Sequence, residues 1–440
     1  MKSNTSNRRG FIKNASFGIL GASLTNSNRI HDGLTTLDPD PPGIKAYRKL
    51  GRTGFEVSDI GCGPAVISHE NVLKAILDAG VNFIDSAIAY GKKNEVMIGN
   101  AIKDYDRESL FISSKYHVKE DTTKEDVIAQ FRGILERMKT DYLDCLQMHM
   151  VSSSKDLQNG AFHEATGQLK TEGRLRHIGV SCHGSNWFQD PEESMEDILS
   201  NAIEDGRFDL LLLVYNFVQQ DMGKRILEKC RKNDLGTALM KTDPFGGFSL
   251  SLIEQYDQLK NEGKAIPGYI EDIHHKIFER QKMGKSFIEE HKLEDNDAIN
   301  KAAIHFVLSN EDAHSILITF RNYNDIDKYI NLSGTKLSAR EEALLDHYRN
   351  SMGRYYCRHA CGLCESSCPE KLPINTIMRY NHYFMAQDRQ KYAIEKFYGL
   401  PRRDLNQCRN CEGFCEKNCP YGVYIRNLLS VAEQNLMLNV

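Results

Sequence analysis

From residue 48 onward, short apolar runs alternate with longer amphipathic ones. The short runs are "VSDIGCG" (57–63), "NFID" (82–85), "LFISS" (110–114), "YLDCLQMH" (142–149), "RHIGVS" (176–181), "LLLLVY" (210–215), "GTALMK" (236–241) and "SILIT" (315–319). Their length and turn-rich flanks predict buried strands. Between them, "KEDVIAQFRGILERMK" (124–139) and "DAINKAAIHFVLS" (297–309) carry apolar residues at helical spacing. Eight strands alternating with helices predict a parallel α/β fold. Their number and the chain length point to a (β/α)8 TIM barrel over residues 47–350. A doubly wound sheet is the alternative. No Gly-x-Gly-x-x-Gly follows the first strand, so a Rossmann nucleotide site has no support.

After residue 350 the pattern changes to a mainly α segment, 351–440, that holds eight of the twelve cysteines. They form two runs, Cys357-x3-Cys361-x2-Cys364-x3-Cys368-Pro and Cys408-x2-Cys411-x3-Cys415-x3-Cys419-Pro. A ferredoxin-type run is C-x2-C-x2-C-x3-C-P, and each run here carries one extra residue in a different gap. Iron–sulfur ligation leads. A four-cysteine zinc site normally uses two separated knuckles. Zinc and disulfides both stay open as alternatives. Between the runs, residues 369–407 read as helices whose Tyr380, Tyr383, Phe384, Tyr392 and Phe397 serve packing.

In a parallel barrel, chemistry gathers where strands end. Consecutive strand ends here supply Asp85 and Tyr90 ("DSAIAYG"), Lys115 ("SSK") and His149 ("LQMH"). Each alone reads as a helix cap, a surface charge or a satisfied core histidine. All four at adjacent ends point to a catalytic group. Beyond the seventh strand, about fifty mostly charged residues (243–293) read equally as a lid or a surface insertion.

The N-terminus adds a compartment. "NRRGFIKNASFGILGASLTNS" pairs Arg8 and Arg9 ahead of a short Gly/Ala-rich apolar stretch, and resembles a twin-arginine export signal over 1–28. Residues 29–46, with "DPDPPG", then form a linker outside the core. Twin-arginine signals resemble those of proteins exported folded, often with a metal cofactor inside, which predicts a periplasmic location compatible with occupied thiolates. The formal net charge of −4 gives no reason to expect nucleic acid or anionic lipid as a partner. No run of about 18 apolar residues predicts a membrane span.

Residues 46–350 resemble the aldo-keto reductases, through "RKLGRTGFEVSDIGCG" (48–63), "DAGVNFIDSAIAYGKKNEVMIGNAI" (78–102), "GRLRHIGVS" (173–181) and "ALMKTDPFGG" (238–247). The resemblance implies carbonyl–alcohol interconversion, with Tyr90 as proton donor, Lys115 lowering its pKa, Asp85 holding Lys115, and His149 bonding to the carbonyl oxygen. It also implies NADP(H) or NAD(H) as hydride carrier. The family's Ser-Asn pair after strand five and Gln on strand six hold the carboxamide. Ser181 is kept here, whereas Cys182 and Leu212 stand at the other two places. "SCHGS" (181–185) matches the S-x-H-G-S of the family's iron–sulfur branch, giving His183 a local role or a loop-ordering one. Arg321 meets a 2′-phosphate or is solvated, with Asp325 and Asp327 opposing the phosphate.

The tail resembles a bacterial two-cluster ferredoxin domain, in which each run's fourth cysteine serves the other cluster. That implies two [4Fe–4S] clusters, one on Cys357, Cys361, Cys364 and Cys419, the other on Cys408, Cys411, Cys415 and Cys368. The function implied is an exported oxidoreductase acting on a small carbonyl or alcohol, such as a sugar or keto-sugar, with a one-electron redox partner. Two alternatives stand beside it: a nucleotide-independent reductase fed by the clusters, and a non-catalytic sensing or scaffold protein.

Overall fold

The chain opens with a small antiparallel hairpin, β1 (Tyr47–Lys49) and β2 (Glu56–Ser58), that the apolar pattern does not reveal. Each of the eight expected runs is then a strand: β3 (Ile60–Cys62), β4 (Phe83–Asp85), β5 (Phe111–Tyr116), β6 (Leu143–Met148), β7 (Leu175–Ser181), β8 (Leu210–Val214), β9 (Gly236–Met240) and β10 (Ser315–Ile318). Neighbours run parallel, and β10 pairs with both β9 and β3, so the sheet closes into an eight-stranded barrel. This is a computed structural model, and it describes residues 42–183, 193–242, 260, 297–358, 361–386 and 390–438.

Successive strand residues face opposite ways, which sorts the apolar side chains into two layers. Ile84, Ile112, Leu146, Met148, Ile178, Val180, Leu211 and Leu213 share one core with the surrounding helices. Those helices are α1 (Glu70–Asp78), α2 (Lys92–Ile102), α3 (Lys124–Met138), α4 (Gly160–Thr171), α5 (Met195–Asp205), α6 (Gln220–Lys232), α7 (Asp297–Leu308) and α8 (Tyr323–Ile330), whereas α9 (Ala339–Met352) packs Leu344 and Leu345 in a separate cluster with Ile299, Ala302 and Ala303 of α7. Helix α3 shows the local logic. Thr123 caps its first turn by accepting from the Asp126 amide, and Val127, Phe131 and Ile134 follow at i, i+4 and i+7 on the buried face.

Inward-facing Phe83, Phe111, Cys145, Leu210, Leu212 and Ala238 form a separate cluster with Leu50 and Val57 of the hairpin. The hairpin therefore plugs the end of the barrel where the strands begin. The opposite end, where they finish, is left for chemistry.

Helices α10 (Ile374–Ala386), α11 (Gln390–Tyr398), α12 (Phe414–Lys417) and α13 (Ile425–Leu436) follow the barrel. Ile374, Ile377, Tyr380, Phe397, Leu428, Leu429 and Ala432 pack there with the cysteines, and Tyr383 and Phe384 lie against the same core. The structure does not part this segment from the barrel: Pro42–Val440 is one compact unit. A cut at residue 350 falls inside α9.

The linker expected to stay outside the core is drawn into it at its end. The Ile44 amide donates to the Ala79 carbonyl at 2.8 Å, and the Lys45 and Ala46 amides donate to Ser333 Oγ at 2.8 and 3.2 Å. Ser333 Oγ in turn donates to buried Asp59 at 2.6 Å. "DPDPPG" signals an irregular stretch, and Ser333 lies nearly 300 residues away in sequence, beyond the reach of local pattern. The stretch expected to be an export signal (1–28) and, apart from residue 260, the 243–293 segment lie outside the described residues.

Gly51 makes the plug possible. Its φ is +47°, and a Cβ there would stand 2.4 Å from the Gly236 nitrogen and the Leu235 carbonyl carbon. Both terms penalise any side chain. Gly51→Ala is expected to cost about 2 kcal/mol or more. Thermal melts should show a lowered Tm, and an unchanged Tm would mean that the hairpin does not bear on the barrel end.

Candidate active site

The ends of β4, β5 and β6 bring three of the expected residues together. Lys115 Nζ lies 2.5 Å from Asp85 Oδ2, and both side chains are almost wholly buried. The same ammonium donates to the Ser86 carbonyl at 2.6 Å. Gln147, two positions before His149, donates to the other Asp85 oxygen at 2.8 Å and to Ser113 Oγ at 2.7 Å. Burial pushes the Asp85 carboxyl above its usual range, against the pull of Lys115 and these hydrogen bonds.

Gln147 has room because its neighbour on β7 is Gly179. A Cβ at Gly179 would lie 3.0 Å from Gln147 Cγ and 2.6 Å from the Leu210 carbonyl. Gln147 is a positioning residue that the sequence did not single out. Its signal was available: it shares the inward face of β6 with His149 and pairs in register with Lys115.

Tyr90 ends a short 3-10 turn, Ile88–Tyr90, just after β4. Lys115 Nζ lies 5.6 Å from the Tyr90 ring centroid, within cation–π range. Tyr90 is 36% exposed, so its hydroxyl end can meet both solvent and a bound molecule. His149 is buried, its amide donating to the Tyr116 carbonyl at 2.7 Å. Burial, then Lys115 and His117, bring its pKa down to about 3. A neutral imidazole keeps one N–H to donate and carries no charge to compete with Lys115.

The three expected cofactor contacts divide. Ser181 ends β7, and among the described residues its buried Oγ has no hydrogen-bond partner. Such an orphan at a strand end fits a ligand amide. Cys182 and Leu212 are indeed its neighbours: Leu212 pairs in register with Ser181, and the Cys182 amide donates to the Leu212 carbonyl at 3.0 Å. Both are buried and neither offers an amide group. His183 joins the active end, its ring centroid 6.2 Å from that of His149. Arg321 stands apart, exposed after β10, with its amide donating to Asp325 Oδ2 at 2.7 Å.

His183 also joins the barrel to the helical segment. Its carbonyl accepts from Arg379 Nη1 of α10 at 2.8 Å, and its Nδ1 lies 3.3 Å from Lys241 Nζ at the end of β9. Sequence reading missed Lys241 and Arg379. Lys241 follows the last residue of a strand, a place where a function could have been sought, but nothing in the pattern links it to Arg379, 138 positions on.

The eight C-terminal cysteines are unpaired thiols, so none is tied up in a disulfide. They divide between two pockets. One is lined by Cys357, Cys361, Cys364 and Cys419, the other by Cys368, Cys408, Cys411 and Cys415. The fourth cysteine of each run thus faces the pocket of the other run. Asn375 Nδ2 donates to Cys357 Sγ at 3.3 Å, and the Gly413 amide donates to Cys411 Sγ at 3.4 Å. Among the described residues, no three Cys, His, Asp or Glu side chains converge to hold a single ion.

Comparison with known proteins agrees with this architecture. A curated relative from Glycine max, "Probable aldo-keto reductase 1", is 26% identical over 224 residues, covering 46% of this chain and 60% of its own length. "Glyoxal reductase" from Bacillus subtilis is 35% identical over 147 residues, 32% of this chain and 51% of its own. These alignments span about half to three-fifths of the relatives' lengths. A solved structure, "aldo-keto reductase AKR11C1 from Bacillus halodurans (holo form)", shares the fold with a TM-score of 0.50 at 16% identity, over 69% of this chain and 95% of its own. The family model described as "Aldo/keto reductase family" matches residues 67–350, well over half of the chain, and the protein belongs to that family.

Proposed function

We propose that this protein is an oxidoreductase that interconverts a small carbonyl compound and its alcohol, using Tyr90, Lys115, Asp85 and His149. The observation that carries the reading is the buried Lys115–Asp85 pair held against the Tyr90 ring beside a neutral His149. Reduction adds a hydride to the carbonyl carbon and a proton to its oxygen. Tyr90 gives up the proton and is left as phenolate, which the Lys115 cation stabilises. Asp85 keeps Lys115 charged and aimed. The His149 N–H donates to the carbonyl oxygen, and this bond strengthens as negative charge builds there. Solvent then returns a proton to exposed Tyr90.

NADP(H) or NAD(H) bound over the strand ends would supply the hydride. Ser181 Oγ fits its carboxamide, His183 flanks the same place, and Arg321 is the available cation for a 2′-phosphate. Relatives that include a glyoxal reductase from Bacillus subtilis and an NADH-specific methylglyoxal reductase from Escherichia coli support small carbonyl substrates and a nucleotide donor. Sugars and keto-sugars remain within the proposed class.

The two cysteine pockets would each hold one [4Fe–4S] cluster, supplying single electrons to and from a redox partner. Four sulfurs around the wall of a cavity suit a group with an iron at each corner. The Asn375 side chain donates to the Cys357 sulfur, against the burial that pushes this thiol up, and the Gly413 amide donates to the Cys411 sulfur. A second reading, in which the clusters feed the substrate without nucleotide, draws support from Cys182 and Leu212, which supply no amide for a nicotinamide. The Arg8–Arg9 segment supports export of the folded protein to the periplasm.

Tyr90→Phe removes only the proton donor, and turnover should fall by about two to four orders of magnitude with nucleotide binding unchanged. Lys115→Met should lose a similar amount, because the phenolate formed as Tyr90 gives up its proton no longer has a cation beside it. Full turnover in Tyr90→Phe would place the chemistry elsewhere. Metal and sulfide analysis should find about eight iron and eight labile sulfide per chain. In electron paramagnetic resonance, Cys368→Ser and Cys408→Ser should disturb the same cluster. Zinc without sulfide, or damage to different clusters, would refute the crossed arrangement. Replacing Arg8 and Arg9 by lysine should retain the folded protein in the cytoplasm, and continued export would refute the signal reading.

A further inference from the structure

The proposed chemistry leaves the start of α10 unused. This helix begins between the two cysteine pockets, with Ile374 lining one and Asn375 the other. A buried amide is costly unless its hydrogen bonds are made. Asn375 is buried, and its Nδ2 serves two acceptors, the Arg358 carbonyl at 2.5 Å and Cys357 Sγ at 3.3 Å. Its backbone amide donates to Glu365 Oε1 at 2.6 Å, and Glu365 directly follows Cys364. The first cysteine run therefore grips Asn375 at two points and receives an N–H on a sulfur in return.

The same helix reaches the barrel. Arg379 comes four residues after Asn375, about one turn on, and so shares its face of α10. Arg379 Nη1 donates to the His183 carbonyl at 2.8 Å, and the His183 ring centroid lies 6.2 Å from that of His149. Glu365 interacts with Arg379 as well as with the Asn375 amide, which braces this turn. Two further contacts set the first run against the barrel. Cys361 shares a cavity with Ser194 and Asp197 at the start of α5, and Tyr421, two residues after Cys419, interacts with Asp221 and Arg225 of α6. The other pocket has a rim of exposed side chains, among them Gln407, Glu412 and Phe414. The donor to its Cys411 sulfur is the Gly413 amide of the run itself.

We infer that the pocket of Cys357, Cys361, Cys364 and Cys419 holds an inner cluster, coupled to the barrel mouth through α10, and that Asn375 is the positioning residue that sets its potential. The inference rests on the reading that both pockets hold [4Fe–4S] clusters. The exposed rim of the other pocket gives a one-electron partner access to the outer cluster. Reduction of the inner cluster then takes one electron, passed on from the outer one. No bond to the protein forms or breaks, and the Nδ2 proton stays on Asn375. The added negative charge spreads over the sulfurs, so an N–H donor at Cys357 Sγ steadies the reduced form more than the oxidised one.

The test is a redox titration of the cluster-loaded full chain, followed by electron paramagnetic resonance. Asn375→Leu removes the N–H and nearly keeps the volume. One midpoint should fall, by about tenfold in the reduction equilibrium or about 59 mV for one electron, and the other should stay. Cys408→Ser should alter the signal that Asn375→Leu leaves in place. Asn375→Asp keeps the shape and turns the donor into an acceptor. It should lower the same midpoint, and it serves if Asn375→Leu does not retain its clusters. A nitroxide attached at Tyr90→Cys marks the barrel mouth, and dipolar measurements should place it nearer the cluster whose midpoint moves. Midpoints unmoved by both Asn375 variants, a shift in the cluster that Cys408→Ser disturbs, or a nitroxide nearer the other cluster would overturn the inference. A wild-type protein without iron and labile sulfide would overturn the cluster reading itself, and the inference with it.

Discussion

The buried pair of Lys115 and Asp85 is the constraint on which the proposed site turns. Removing two opposite charges from water costs several kcal/mol each, and their attraction repays it only when the remaining hydrogen-bond sites are filled. The barrel fills them. Asp85 has Gln147 on its second oxygen, and Lys115 has the Ser86 carbonyl. Gln147 in turn needs the space left by Gly179. Three adjacent strand ends and a glycine on a fourth are therefore spent on holding one cation against one phenol ring. A pair arranged this way contributes little to stability and sets a fixed cation beside the Tyr90 ring.

Much of this was legible in the sequence, for identifiable reasons. The eight barrel strands are buried on both faces, so they read as short continuous apolar runs, and each was found. The tetrad was visible because polar residues ending such runs conflict with their surroundings. The resemblance of the tail to a two-cluster ferredoxin implies crossed runs, and in the structure Cys368 lines the pocket of Cys408, Cys411 and Cys415 while Cys419 lines that of Cys357, Cys361 and Cys364; the clusters themselves belong to the proposal.

What escaped depends on contacts between distant segments. The hairpin plug has three-residue strands, too short to show alternation. The attachment of Lys45 and Ala46 rests on Ser333, and the Arg379–His183 contact spans 196 positions. Gln147 was passed over because amides do not titrate and attract less notice than charges. Lys241 stands within a family motif, and no pattern along the chain shows that it meets His183 or that Arg379 of α10 does the same.

The barrel mouth is proposed as a hydride-transfer site, and the helical segment as the holder of the clusters. The test that bears most directly on it is the origin of the hydrogen that ends on the carbinol carbon. Reduction of a carbonyl substrate with nicotinamide nucleotide deuterated at C4 of the ring, in ordinary water, should place deuterium on that carbon by mass spectrometry. Hydrogen from solvent at that carbon, with nucleotide label retained, would contradict it and show that electrons arrive singly from the clusters.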